Sequence, residues 1–245
     1  MKTRRGTDFA RIYHIMLESY GPQGWWPLLR RAGQPGFDEE GYHPGIEPEL
    51  HTTDRFEIAV GAVLTQNTSW KNVRKALRNL NDYFRISGTG LSPEAVCEIG
   101  RESLAELIKP SGYYNQKAGK LMILGSFFAG LQGIPEREEL LNLWGIGPET
   151  ADSILLYAFD RPVFVIDAYT RRIISRIDGS DLDASDRVYH RLQETIQEAL
   201  PGDPLIYREY HALLVEHAKS RCMKRAPICD DCPVRSMCNF VVQIL

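Results

Sequence analysis

The chain has 245 residues, 43% of them hydrophobic, and a formal net charge of −3. That is enough apolar sequence to bury one large or two smaller cores, and it excludes a polycation that draws nucleic acid by bulk charge alone. No apolar run reaches the roughly 18 residues that a membrane-spanning helix needs. Lys2, Arg4 and Arg5 open the chain, but Asp8 and mixed polarity follow in place of a signal-peptide core, so a soluble, cytoplasmic protein without a membrane partner is expected. In a reducing compartment its clustered cysteines are not expected to pair as disulfides.

Helical periodicity runs almost from end to end, with no convincing alternating strand. Residues 8–20 place Phe9, Ile12, Ile15 and Met16 on one face. A Gly- and Pro-rich stretch from Gly21 to about Thr53 follows, interrupted by Trp25-Trp26-Pro27, and reads as loops with a short helix near Leu28–Arg31. Helices are then expected over 54–64, 69–83, 93–100, 103–108, 114–131 and 137–144. Further ones are expected over 148–159, 168–177, 184–199 and 205–222. The fold class is all-α.

Two strings in the middle bear on chemistry. In "LWGIGPETA", Leu143 to Ala151, an apolar helix end meets Gly-Ile-Gly and then Pro148 in the first turn of a new helix. Two glycines permit a tight turn and close approach of another molecule, and the new helix offers unpaired N–H groups to a phosphate. A plain helix–turn–helix corner explains the string equally well. In "VFVIDAYTRRI", Asp167 stands between an apolar run and a helix. It reads as an N-cap, or as a carboxylate aimed at a developing positive charge; a cap that fixes the carboxylate permits both.

Four of the five cysteines fall between Cys222 and Cys238 in the spacing C-x6-C-x2-C-x5-C. Four thiolates suit tetrahedral zinc or a [4Fe–4S] cluster. Zinc sites usually pair two short knuckles; here only Cys229 and Cys232 form one, which favours a single loop around a larger inorganic core. Arg221, Lys224, Arg225 and Arg235 lie among the cysteines and can meet phosphate or offset an anionic cluster.

The hairpin string, Asp167 twenty residues after Gly147, and the cysteine spacing together resemble the endonuclease III branch of helix–hairpin–helix DNA glycosylases. The resemblance covers about Phe56 to Cys238. It implies two helical lobes with a DNA groove between them, one formed by 52–161 and the other by 1–51 plus 162–245, with the cluster loop at 222–238. It implies a [4Fe–4S] cluster on Cys222, Cys229, Cys232 and Cys238, Asp167 as catalytic carboxylate, a DNA phosphate on the backbone N–H groups of Gly145 and Gly147, and Ile146 between them as a further DNA-binding residue. Lys224 and Arg225 become further DNA contacts, and Gln66, in "GAVLTQNT", matches the residue inserted where a base has flipped out. Bifunctional members carry a nucleophilic lysine two residues after the last hairpin glycine. This chain has Glu149 there, and a carboxylate forms no imine, so a monofunctional enzyme using water is implied.

"GAVLTQNT", "PSGYYNQKAGKL", "GIGPETADSILLY" and the upstream "WWP" are also similar to the 3-methyladenine DNA glycosylase III type. That type carries Glu at the lysine position, lacks the cysteines and has a carbamylated lysine, to which Lys219 corresponds. A methylated purine is cationic and a good leaving group, so recognition can rest on electron-rich rings. Trp25 and Trp26 are the candidates, with Phe56 behind them and Glu149 at the pocket rim. The expected partner is duplex DNA bearing a damaged base, met by a monomer. Lys117 and Lys120 read as exposed, Cys97 as a small buried residue, and the six histidines show no metal spacing. Competing readings are a bifunctional enzyme for oxidised pyrimidines, a mismatch glycosylase, a non-catalytic DNA damage-binding protein and a zinc-dependent DNA-binding module.

Overall fold

The computed structural model describes residues 7–182 and 185–244, with side chains as far as residue 241. The expected basic start (Lys2, Arg4, Arg5) and the expected helix start at Ala184 lie outside the described residues. Among those described there are twelve α-helices and no strand, the all-α class expected from periodicity. In chain order the first six are α1 (Phe9–Tyr20), α2 (Thr52–Leu64), α3 (Trp70–Ile86), α4 (Pro93–Glu98), α5 (Arg101–Leu107) and α6 (Tyr114–Gly130). The rest are α7 (Arg137–Leu141), α8 (Pro148–Phe159), α9 (Ala168–Asp178), α10 (Asp186–Glu198), α11 (Pro204–Ser220) and α12 (Asn239–Ile244).

Local chemistry sets most boundaries. Asp8, Ser92, Ser185 and Asp203 cap their helices by accepting backbone N–H bonds, each meeting donors that the helix itself leaves free. The helix expected over 93–100 ends at Glu98, because Gly100 takes φ +82° and starts α5 afresh. The last long helix ends at Ser220, two residues before the expected Cys222. Arg221 and Cys222 both donate to the His217 carbonyl, at 3.0 and 2.8 Å, which closes the helix end.

The chain divides into two compact units, Trp26–Arg161 and Met1–Trp25 with Pro162–Leu245. The first is built around α2, in which every residue from Phe56 to Leu64 is buried; α6 and α8 pack against it. Residues 26–51, expected with the terminal segments, belong here instead. Their bonds explain it: the Arg31 guanidinium pairs with buried Asp54, Arg30 N donates to Glu57 Oε1 at 3.3 Å, and Leu28 N donates to Gly41 O at 2.9 Å. In the terminal unit α11 is central, packed by α1 and α9, with Tyr207, Tyr210, Leu213 and Leu214 in its core.

Candidate active site

The terminal unit contains Asp167 at the head of α9. The apolar run before it is pinned to α10: Gln193 Nε2 donates to Phe164 O at 2.6 Å and Gln197 Oε1 accepts from Phe164 N at 2.8 Å. Asp167 Oδ1 then accepts from Thr170 N at 2.6 Å, the capping bond expected. Its other oxygen lies 3.8 Å from His211 Nε2, a charge contact too long for a hydrogen bond. The side chain is 14% exposed. Burial alone would raise its pKa, but His211 and the Thr170 bonds outweigh it and hold the carboxyl below its ordinary value. Asp167 is therefore an anion fixed in place.

Trp25 joins this group. Its ring meets His211 edge-on at 6.0 Å, and Lys219 Nζ lies 5.7 Å from its centroid. Desolvation lowers the Lys219 amine from its ordinary pKa, with Glu216 and Asp167 opposing. The histidine spacing had offered no sign of His211, yet it and Lys219 stand eight residues apart on α11, an interval that keeps both near one helix face.

The hairpin lies in the other unit, between α7 and α8. A two-pronged ion pair clamps its helices, Arg137 Nε to Asp152 Oδ1 at 2.6 Å and Nη2 to Oδ2 at 3.1 Å, with Asp152 fully buried. Gly145 adopts φ +81°, and a Cβ there would overlap the Lys120 stem, so the fold itself demands glycine. Gly147 is different: its φ is −101°, and a Cβ would meet nothing within 4 Å. Open space thus lies before the α8 N-terminus. Among the described residues neither the Gly145 nor the Gly147 N–H donates a backbone hydrogen bond. Ile146, expected as a DNA-binding residue, has its N–H taken by Leu143 O at 3.1 Å, and its buried side chain anchors the turn. Glu149 is exposed in the first turn of α8.

Gln66 is tied to this hairpin. Its Nε2 donates to Gly145 O at 3.0 Å and Thr150 Oγ1 at 2.9 Å, while its Oε1 accepts from Lys120 Nζ at 2.6 Å. Lys117, expected in solvent, is buried; its ammonium donates to Leu64 O at 2.9 Å and Ser111 O at 2.8 Å. Burial, then the charge of Lys120, lowers it to about 8.

Two expected pocket residues are core residues in the structure. Trp26 is 5% exposed, with its indole in the space that Gly61 leaves and its ring against Trp70 and Tyr157. Phe56 has no accessible surface and packs at a tilt against Phe128. Neither presents a face to a base, because both fill the interior of the middle unit, and the expectation passes to Trp25. Phe56→Ala should therefore cost about 3–5 kcal/mol of stability, read as a lowered denaturation midpoint, and should act on base release only through folding.

The four clustered cysteines are unpaired thiols that line one small cavity with Ile173, Ile177, Val234 and Arg176. Arg176 Nη1 donates to Cys222 Sγ at 3.1 Å and to Met223 O at 2.9 Å, and Arg172 Nε donates to Cys222 O at 3.0 Å. Burial, with the other three sulfurs adding to it, pushes the Cys232 thiol up to about 11. Among the described residues no three His, Cys, Asp or Glu side chains converge tightly enough to hold a single metal ion. Lys224 and Arg225 are exposed on the same loop. No helix of the described residues is long and apolar enough to cross a membrane.

Comparison with known proteins follows the same lines. A Methanocaldococcus jannaschii protein, provisionally named a DNA repair glycosylase, is 39% identical over 250 residues, covering 97% of this chain and 99% of its own. The Helicobacter pylori 3-methyladenine DNA glycosylase MagIII, solved with 1,N6-ethenoadenine, superposes with a TM-score of 0.64 at 26% identity, covering 89% of this chain and 100% of its own. A non-covalent endonuclease III–DNA complex shares the fold, with a TM-score of 0.70 at 18% identity over 100% of this chain and 99% of that one. The model of the HhH-GPD superfamily of base excision DNA repair proteins matches residues 60–198. With its clamped glycine hairpin and its capping aspartate downstream, this chain belongs to that superfamily.

Proposed function

We propose that the protein is a monofunctional DNA glycosylase that hydrolyses the N-glycosidic bond of alkylated purines in duplex DNA. The observation that carries the reading is Asp167: an N-capping carboxylate, held ionised, with Trp25, His211 and Lys219 about it in the same unit. N-glycosidic cleavage develops positive charge on the sugar, which a fixed anion stabilises while it orients water. The base must first leave the stack, and a cationic methylpurine then gains on the order of 0.5–2 kcal/mol from each good aromatic contact. Trp25 offers such a face. In this reading the free N–H groups of Gly145 and Gly147 receive a DNA phosphate, with Lys224 and Arg225 as outlying cationic contacts. The likeness to the 3-methyladenine glycosylase supports the substrate class.

Cys222, Cys229, Cys232 and Cys238 are assigned a [4Fe–4S] cluster. A zinc tetrahedron would draw its sulfurs to about 3.8 Å from one another, and the thiols here surround a shared cavity instead. When bound, the cluster supplies cross-links that hold the 222–238 loop together. The Arg176 bond to Cys222 Sγ offsets thiolate charge from the protein side.

Glu149 at the hairpin position supports hydrolysis without strand cleavage. One observation favours a second reading: Lys219 is an amine of lowered pKa beside Asp167, suited to form an imine with the sugar. Both are tested with duplexes carrying 3-methyladenine, an oxidised pyrimidine, uracil or a mismatch, scoring base release, scission before and after alkali, and borohydride trapping. Alkylpurine release with scission only after alkali is expected. A trapped adduct that disappears in Lys219→Met would establish the lyase instead.

A further inference from the structure

The Lys120–Gln66 link to the hairpin does something that hairpin binding alone does not explain. Gln66 uses both amide hydrogens and its oxygen inside the protein, on Gly145 O, Thr150 Oγ1 and Lys120 Nζ. A glutamine so occupied has no group left for an orphaned base. Lys120 reaches the hairpin as well: its stem fills the space beside Gly145, and its ammonium lies 6.0 Å from the ring centroid of Trp144, which is 58% exposed.

The charges around this link are unbalanced. The charge of Lys120 is near enough to disfavour protonation of Lys117. Among the described residues neither ammonium has a carboxylate partner; both rest on neutral oxygens, Leu64 O and Ser111 O for Lys117 and Gln66 Oε1 for Lys120. Lys117 is sealed in the core, but Lys120 is partly exposed. Positive charge without an internal carboxylate partner therefore borders the hairpin turn at Gly145. A phosphate at the turn would meet both that charge and the N–H groups of Gly145 and Gly147, and it would offer the ammonium an anionic acceptor in place of the neutral oxygen of Gln66.

We propose that Lys120 is a DNA phosphate ligand and a positioning residue: phosphate arriving at the hairpin takes its ammonium from Gln66 Oε1, which leaves the glutamine held by its two Nε2 bonds alone and easier to withdraw from the hairpin toward the base stack. This rests on the glycosylase reading above. Hairpin occupancy and base-stack insertion then become one event, so Gln66 stays stowed until the backbone is seated.

The test measures duplex affinity against salt for the full chain and for Lys120→Met, Lys120→Gln and Lys120→Arg, with single-turnover base release. Both neutral variants should lower the slope of log K against log salt by about 0.9, the value of one released counterion, and the arginine variant should restore it. Gln66→Ala combined with Lys120→Met should slow base release by less than the product of the single effects, since both act through one link. An unchanged slope in both neutral variants, beside a wild type whose binding is salt-dependent, overturns the Lys120 assignment. Fully multiplicative losses overturn the coupling. A wild type that binds no duplex overturns the glycosylase reading and this inference with it.

Discussion

Asp167→Asn should bind a lesion-bearing duplex as the parent does and release the base at least about 10³-fold more slowly, the scale on which fixed charge and proton handling act in active sites. The substitution separates the two duties of the residue. Asparagine caps a helix about as well as aspartate, so the Thr170 N bond that starts α9 survives. What disappears is the anion. Its pKa is depressed in the folded state, so its contribution to stability is fully present above the ordinary aspartate value of about 3.9 and is lost as pH falls through the lower folded value. Parent and variant should therefore differ most in stability near neutrality, and the gap should shrink in acid. Urea denaturation across pH reads this, and single-turnover kinetics read the rate. A variant that releases base within tenfold of the parent would reduce Asp167 to a cap.

The second large effect concerns the cysteine loop. Cys232→Ser should abolish visible absorption and bound iron, and it should lower stability by more than about 4 kcal/mol, the range in which loss of a metal group falls. Beyond the cluster, the start of the loop is tied to α9 by Arg172 and Arg176, and the rest has one turn at Arg235–Met237, the buried Val234, and backbone bonds such as Ile228 N to Arg221 O. Burial raises the Cys232 thiol and a backbone bond from Val234 offsets only part of it, so the thiolate depends on what it ligates. Iron and sulfide content, absorption and limited proteolysis of the loop are the measurements. A parent protein that is colourless and carries zinc would overturn the cluster.

Much of the fold was legible because helices announce themselves locally. Spacing of apolar residues marked the long helices, Pro148 after Gly147 marked the start of α8, and Asp167 marked the cap of α9. Failures occurred where identity says nothing of partners. Lys117 looked like a surface lysine, because two backbone carbonyls that accept its ammonium, one of them 53 residues away in sequence, leave no trace in "YYNQKAGK". Residues 26–51 read as loops of the terminal lobe, because their ties to Asp54 and Glu57 are bonds to side chains more than twenty residues away.

The tryptophan pair shows where the division falls. Sequence alone determined that two large aromatic rings sit in a Gly- and Pro-rich loop, that a glycine turn precedes a helix, that an aspartate caps the next, and that four thiols occupy one short segment. These are properties of neighbouring residues, set by backbone geometry and side-chain chemistry over a few positions. Only the tertiary structure decided that Trp26 goes inward over Gly61 while Trp25 meets His211 and Lys219. It likewise decided that Ile146 spends its N–H inside the hairpin and that Lys120 holds Gln66. Burial and pairing depend on groups brought together from distant parts of the chain, and no local pattern encodes which of two adjacent rings finds the gap.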